Sequence, residues 1–190
     1  MKVVHKLFTL IRSHVLHNLN YRPMDKFLKD YFDDSHRLIG VEIGVASGFH
    51  ASDMLHHLPI EKLYLIDPYL NYDEYKLSHD FNQCSLGTKK LLRCFDEKVV
   101  FIREMSEDAA GMTPDNLDFV YIDGNHEYEF VKNDIQLYYP KIKPGGVIGG
   151  HDFGCHYPGV PRAVLEFCDK MNLELFGDEY DWWIVKTKEK

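Results

Sequence analysis

The sequence predicts a doubly wound α/β fold built on a mostly parallel sheet of seven strands. From residue 38 onward, short β-rich apolar runs alternate with longer helical stretches. Such alternation is typical of a parallel sheet that is covered by helices on both faces. A glycine-containing turn follows the first run, and no helix separates the last two runs. The last pair therefore predicts a hairpin, which places one antiparallel strand near the carboxyl end of the chain.

The individual elements follow from the spacing of apolar residues. Helical spacing occurs at residues 2–17 and 25–34, and Pro23 is expected to end the first of these segments. Strands are predicted at 38–43, 62–66, 99–102, 117–122, 147–150, 173–176 and 182–187. Helices are predicted at 48–57, 84–95, 106–111, 127–139 and 161–171, with a turn at 144–146. We therefore expect N-terminal helices in residues 1–37, packed on or extending one domain of residues 38–190.

Composition and charge exclude several classes of protein. The chain has 190 residues, of which 45% are hydrophobic, so one globular domain is expected. Its net charge of −8 disfavours a nucleic-acid partner. No apolar run reaches the roughly 18 residues of a membrane span, and Lys6 and Arg12 interrupt any signal-peptide core. The four cysteines form no C-x-x-C pair, which favours free thiols and a cytoplasmic location.

The sequence is compatible with more than one packing partner for the N-terminal helix. Its apolar face predicts packing on the main domain or on a second copy of the chain in a homodimer. Its opposite face holds Lys2, Lys6 and Arg12, so a helix lying on a membrane surface is the alternative. We expect no stable membrane insertion in either case.

The first glycine turn predicts a ligand site. It has the sequence V-E-I-G-V-A-S-G over residues 41–48, and ligands of open parallel sheets bind beyond the carboxyl ends of the strands. A dinucleotide motif aligned on Gly44 requires glycine where this chain has Ala46 and Phe49. Glu42 would oppose a phosphate but suits a cation such as the amino-acid end of S-adenosylmethionine. The turn, including Gly48, is thus a candidate cofactor site, and a tight strand-to-helix connection is the alternative.

Two later segments extend the candidate cofactor site. Asp67 ends the second strand, where an acidic side chain can accept hydrogen bonds from both ribose hydroxyls. Met105 and Ser106 follow the third strand and are expected to flank the adenine. An exposed loop acid at Asp67 and a helix N-cap at Ser106 are the corresponding structural alternatives.

Carboxylates at two strand ends predict a cation site. Asp123 follows the apolar strand 117–122, and His151 and Asp152 follow the strand 147–150. Neighbouring parallel strands would bring the two aspartates together, and they would repel each other without a cation between them. Carboxylate oxygens suit Mg²⁺ or Ca²⁺ and also Mn²⁺. The alternative is that the two aspartates are hydrogen-bonded turn residues. A zinc site formed by His151, Asp152, Cys155 and His156 is a further alternative, although the spacing of these residues is not that of a usual zinc finger.

These motifs together resemble a known family. V-E-I-G-x-x-x-G, L-I-D, F-V-Y-I-D-G-N-H and P-G-G-V-I-G-G-H-D occur in this order over residues 38–170. The combination resembles the Rossmann-like class I S-adenosylmethionine-dependent methyltransferases. Its closest likeness is to the branch of the macrocin and mycinamicin O-methyltransferases and the cephalosporin hydroxylase-like proteins.

The resemblance implies metal-assisted O-methylation of a small molecule that carries a hydroxyl group. Asp123 would contact both cofactor and metal, Asp152 would bind the metal, and His126 would act as the base. The branch tends to carry an acid where this chain has His151, so His151 is expected as a third ligand and Fe²⁺ or Zn²⁺ remain alternatives. A nucleotide-binding oxidoreductase and a non-catalytic methyltransferase-like protein are the other functions to weigh.

Overall fold

A computed structural model describes residues 22–70, 81–154, 156–178 and 180–187. The predicted helix 2–17 lies outside the described residues. The sequence also predicts a lid in the aromatic-rich segment 69–83, whose residues 71–80 lie outside the described residues as well.

The described residues form one seven-stranded sheet flanked by helices. The strands are β1 (Leu38–Ile43), β2 (Ile60–Ile66), β3 (Val99–Ile102), β4 (Leu117–Ile122), β5 (Ile142–Gly150), β6 (Phe176–Gly177) and β7 (Trp182–Val185). The α-helices are α1 (Pro23–Tyr31), α2 (Phe49–His57), α3 (Phe81–Leu91), α4 (Ser106–Ala109), α5 (Tyr128–Tyr138) and α6 (Gly159–Met171). Short 3₁₀ turns follow α3, α4 and α5 at Arg93–Phe95, Ala110–Met112 and Tyr139–Lys141.

The strand order is β3-β2-β1-β4-β5-β7-β6, as expected for a doubly wound sheet. β1 to β5 pair in parallel, whereas β7 is antiparallel to both of its neighbours. The predicted α/β class, the seven strands and the antiparallel strand near the carboxyl end are therefore confirmed. β2 and β3 lie on one side of β1, and β4 and β5 lie on the other. The boundary between β1 and β4 is therefore the switch point of the strand order, where ligands bind in such folds.

Burial on both faces explains why the strands are nearly continuous apolar runs. One core cluster packs α5 and α6 against residues such as Val41, Val120 and Ile148. The other packs α1 and α2 against alternate residues such as Phe119, Tyr121 and Val147. Parallel strands that are covered on both sides are apolar at nearly every position, and every residue of β4 is buried, including Asp118.

Pro23 occupies the first turn of α1, where its missing N–H is harmless; the helical segment that it is expected to end lies outside the described residues. Two local predictions were wrong. The predicted turn at 144–146 lies inside β5, whose pairing with β4 shifts register there and whose Gly145 has a φ of 83°. Ser106 is the first residue of α4 rather than its N-cap. Both errors concern residues typical of turns and caps, which also occur inside helix first turns and at irregular positions of strands.

Cys84, Cys94 and Cys168 are free thiols, as predicted. Trp182 and Trp183 of β7 are buried. Among the residues that the structure describes, no helix is long and apolar enough to cross a membrane.

Candidate active site

The turn after β1 needs glycine at two positions. Gly44 and Gly48 have φ values of 86° and 75°, which L side chains rarely adopt. A Cβ at Gly44 would overlap the backbone oxygen of Asp123, and one at Gly48 would overlap the side chain of Thr88. The two glycines thus let the turn pack directly against the end of β4 and against α3.

Asp67 ties the end of β2 to this turn. Its Oδ2 accepts a hydrogen bond from the backbone N–H of Ala46 at 2.8 Å, and its Oδ1 accepts one from Tyr69 N–H at 2.7 Å. Burial raises the pKa of Asp67, and these amide hydrogen bonds oppose that shift. Each carboxylate oxygen has two lone pairs, so Asp67 retains acceptor capacity for ribose hydroxyls.

Ser106 uses its hydroxyl inside the protein. The hydroxyl donates a short hydrogen bond to Asp134 on α5, and the Tyr138 hydroxyl donates to the backbone oxygen of Ser106 at 2.8 Å. Burial raises the pKa of Asp134 to about 7. Met105 occupies the N-cap position of α4 with extended backbone. These contacts anchor the segment after β3, and its predicted contact with adenine stays a prediction.

The ends of β4 and β5 bring the predicted cation ligands together. Asp123 N–H donates to the Ile43 backbone oxygen at 2.8 Å, and His151 N–H donates to the Ile122 oxygen at 3.0 Å. Asp152 follows in a left-handed backbone conformation, with a φ of 59°. Such strain in a non-glycine residue is common at functional sites. Both aspartates therefore lie at the carboxyl edge, beside the glycine turn.

His126 joins the two aspartates. Its Nε2 lies 2.8 Å from Asp152 Oδ2 and 3.9 Å from Asp123 Oδ1. Among the described residues, these three form a group whose candidate ligand atoms lie within 4.8 Å of one another. The ring of His126 stacks on Tyr157, with centroids 4.1 Å apart, and its side chain is only 7% exposed. Two carboxylates and one imidazole form a donor set that fits a divalent cation.

His151, the predicted third ligand, falls outside this group. Its Nδ1 lies 3.1 Å from Asp152 Oδ1 and 3.9 Å from Asp123 Oδ1. Its side chain is 26% exposed, and its Nε2 lies 4.0 Å from Asp181 Oδ1. The geometry thus favours His126 over His151 as the third ligand, since His126 is the more deeply buried and the closer to Asp152.

Sequence reasoning missed a charged network beneath Asp123. Arg22 Nη1 lies 3.1 Å from Asp123 Oδ2 and donates to the Tyr121 hydroxyl at 2.6 Å. The Tyr121 hydroxyl donates to Asp181 Oδ1 at 2.9 Å, and Met24 N–H donates to Asp181 Oδ2 at 3.1 Å. Arg22 leaves Asp123 Oδ1 facing the two histidines. These partners are about 60 to 160 residues apart in sequence, and no local motif indicates them.

Burial governs the protonation of this network. It raises the pKa of Asp181 to about 6 and the pKa of Tyr121 well above its ordinary value. For Arg22, burial opposes the charge, but Tyr121 and Asp123 outweigh it and raise the pKa. Arg22 therefore remains a cation beside Asp123.

The predicted cofactor residue Glu42 has a partner that the sequence did not suggest. Glu42 is buried, and His50 Nδ1 lies 2.9 Å from its Oε1. His50 Nε2 in turn lies 3.0 Å from Asp25 Oδ2. A carboxylate inside an apolar strand requires a buried partner, and that requirement was the available signal for this pair.

Comparison with known proteins supports a shared fold and family. A family model described as a methyltransferase domain matches residues 41–153. An uncharacterised protein of Acanthamoeba polyphaga mimivirus is 31% identical over 148 residues, which is 75% of this chain and 59% of that protein. The chain therefore spans less than two thirds of the length of this curated relative.

Solved structures share the fold at low identity. The O-methyltransferase NovP has a TM-score of 0.66 at 19% identity, covering 87% of this chain and 80% of its own. The calicheamicin methyltransferase CalS11 has a TM-score of 0.65 at 14% identity, covering 85% and 77%. A Streptococcus mutans protein in complex with S-adenosylhomocysteine has a TM-score of 0.65 at 15% identity, covering 87% and 98%.

Proposed function

Because the chain belongs to the methyltransferase-domain family, we propose that it transfers a methyl group from S-adenosylmethionine to a hydroxyl group of a small molecule, assisted by a divalent cation. The family match and the class I fold support S-adenosylmethionine as the cofactor. The likeness to the macrocin and mycinamicin branch, and the O-methyltransferase NovP among the fold neighbours, support oxygen as the acceptor atom.

The cofactor is proposed to bind along the edge from β1 to β3. Glu42 and the turn from Gly44 through Ala46 to Gly48 would hold the amino-acid end, because this turn lies at the switch point of the sheet. Asp67 would accept hydrogen bonds from the ribose. The segment that contains Met105 and Ser106 would flank the adenine. S-adenosylmethionine supplies a methyl group on a positively charged sulfur, which a well-placed nucleophile can displace in line.

The observation that carries the metal proposal is the group of Asp123, His126 and Asp152 at the same edge. Asp123 adjoins the glycine turn through its backbone, so a cation at this group would lie next to the cofactor. A bound divalent cation lowers the pKa of a hydroxyl group that it contacts. The arrangement therefore suits activation of an acceptor oxygen beside the methyl group.

The geometry supports an exchange of the two histidines' predicted roles. His126 is deeply buried beside Asp152 and suits a ligand, whereas His151 is more exposed and suits a base. With Nδ1–H donated to Asp152, the Nε2 of His151 can accept the proton from the acceptor hydroxyl. Asp181, 4.0 Å from that nitrogen, would stabilise the resulting imidazolium.

The N-terminal residues are proposed to complete this site. Arg22 contacts Asp123, and Asp25 contacts His50, although both precede the segment that the family model matches. We therefore propose that residues 1–37 are an accessory segment of the methyltransferase domain of residues 38–190.

Methyl-transfer assays test the proposal directly. Purified protein is incubated with S-adenosylmethionine labelled in the methyl group and with catechols, sugars and polyketides that carry hydroxyl groups. Matched compounds with an amine in place of the hydroxyl serve as controls. We expect transfer to a hydroxyl compound only, loss of transfer after chelation, and recovery with Mg²⁺ or Mn²⁺. Transfer to the amine compounds, or transfer unaffected by chelation, would contradict the proposal.

A further inference from the structure

His50 is held between two buried carboxylates. It lies in the first turn of α2, with Nδ1 2.9 Å from Glu42 Oε1 and Nε2 3.0 Å from Asp25 Oδ2. Glu42 and Asp25 are each 1% exposed. The imidazole also packs on the ring of Tyr121, with centroids 4.3 Å apart. His50 therefore connects α1, β1 and β4 beneath the glycine turn.

Two acceptors on opposite sides of the ring settle its charge. Burial is the largest influence and lowers the pKa of His50, but hydrogen bonds and charge from Asp25 and Glu42 outweigh it and raise the pKa to about 10. Both ring nitrogens then carry hydrogen and both donate. Hydrogen bonds between ionised groups are short and strong, so the orientation of the Glu42 carboxylate is restricted.

The second oxygen of Glu42 remains without a hydrogen bond among the described residues. Glu42 Oε2 and Asp25 Oδ1 are both buried and unsatisfied. Buried acceptors in this state are rare and require an explanation such as a missing ligand or water. Burial raises the pKa of Glu42, and the hydrogen bond and charge of His50 oppose that rise, so a cationic hydrogen-bond donor at Oε2 would favour the ionised carboxylate further. Glu42 lies two residues before Gly44, below the turn proposed for the amino-acid end of the cofactor.

We propose that His50, clamped by Asp25, is a positioning residue that orients Glu42 so that its Oε2 accepts a hydrogen bond from the ammonium group of S-adenosylmethionine. The proposal rests on the proposed binding of this cofactor at the glycine turn. It adds a residue of α1, Asp25, to cofactor recognition, and Asp25 lies outside the segment that the family model matches. His50 acts through Glu42 and does not itself contact the cofactor.

A comparison of two ligands isolates this role. Calorimetry measures the affinity for S-adenosylhomocysteine and for its analogue with hydrogen in place of the α-amino group. Because a hydrogen bond between charged groups is strong, the wild type should prefer the aminated ligand by roughly 10- to 100-fold. In His50→Gln the preference should fall to about 3-fold or less. Affinity for the analogue should stay unchanged, since the analogue does not need the Glu42 contact.

Control variants separate positioning from folding. His57→Gln alters an exposed histidine of the same helix and should keep the full preference. Glu42→Gln should abolish the preference, and Asp25→Asn, which weakens the clamp from α1, should reduce it partly. Asp25→Asn also keeps the test decisive if His50→Gln fails to fold, as judged by circular dichroism.

The remaining outcomes of the two-ligand comparison separate a failure of the His50 inference from a failure of the proposed cofactor site. Equal loss of affinity for both ligands in His50→Gln would assign His50 a purely structural role and overturn the inference. An unchanged preference in His50→Gln, or a wild type that binds both ligands equally, would also overturn it while leaving the methyltransferase proposal intact. A wild type that binds neither ligand would instead contradict the proposed cofactor site.

Discussion

Replacing Asp152 by asparagine is expected to weaken Mn²⁺ binding at least about 100-fold. The change removes one of the two carboxylates in the group with Asp123 and His126, and changes to residues that merely support metal ligands already cost about 10- to 100-fold in affinity. Asparagine tolerates the left-handed backbone of this position, whose φ is 59°. The fold should therefore remain intact, and calorimetric titration of the metal-free protein with Mn²⁺ measures the effect.

Asp169→Asn is the matched control for this experiment. Asp169 is exposed on α6, so its replacement changes the net charge equally without touching the group. Mn²⁺ affinity should be unchanged in Asp169→Asn, and S-adenosylhomocysteine affinity should change little in either variant. Equal Mn²⁺ affinity in Asp152→Asn and the wild type would show that the aspartates are hydrogen-bonded turn residues and would contradict the metal site.

Asp67→Asn is expected to lower the affinity for S-adenosylhomocysteine at least about 100-fold. Two ribose hydrogen bonds to a charged acceptor would each contribute about 1.5–3 kcal/mol. Asp67 now accepts hydrogen bonds from the backbone N–H groups of Ala46 and Tyr69. In Asp67→Asn, the side-chain NH₂ would face one of these two N–H groups. Two donors in contact repel, so the glycine turn would lose an anchor as well. Calorimetry with S-adenosylhomocysteine measures the change.

An exposed aspartate again provides the reference. Asp96 is exposed and follows the 3₁₀ turn Arg93–Phe95, away from the cofactor edge. The Asp96→Asn variant should therefore bind S-adenosylhomocysteine as tightly as the wild type. The assigned ribose contact would be wrong if Asp67→Asn retained wild-type affinity with a normal unfolding temperature.

Strand positions were predictable because both faces of the sheet are buried. β1, β3 and β4 begin and end where their apolar runs do, since polar turns bound these runs in the sequence. β5 was predicted too short because Pro144, Gly145 and Gly146 are typical of a turn. In the structure they form an irregular part of the strand, which only the pairing with β4 reveals.

Site residues at the strand ends were predictable for the same geometric reason. Asp123 and Asp152 follow neighbouring strands, and the structure brings them together. The choice between His126 and His151 depends on the turn after β4, which periodicity does not describe. Arg22 and His50 depend on contacts between distant segments. Such long-range partners carry no local pattern, although a charged residue in a buried strand indicates that a partner exists.

Anomalous scattering from Mn²⁺ tests the central proposal most directly. Crystals are grown with Mn²⁺ and S-adenosylhomocysteine, and data are collected at the manganese absorption edge. We expect one strong anomalous peak within about 2.0–2.3 Å of oxygens of Asp123 and Asp152 and of a nitrogen of His126, with the cofactor product against the glycine turn. A peak elsewhere, or cofactor density with no peak beside these aspartates, would contradict a shared cofactor and metal site at this edge of the sheet.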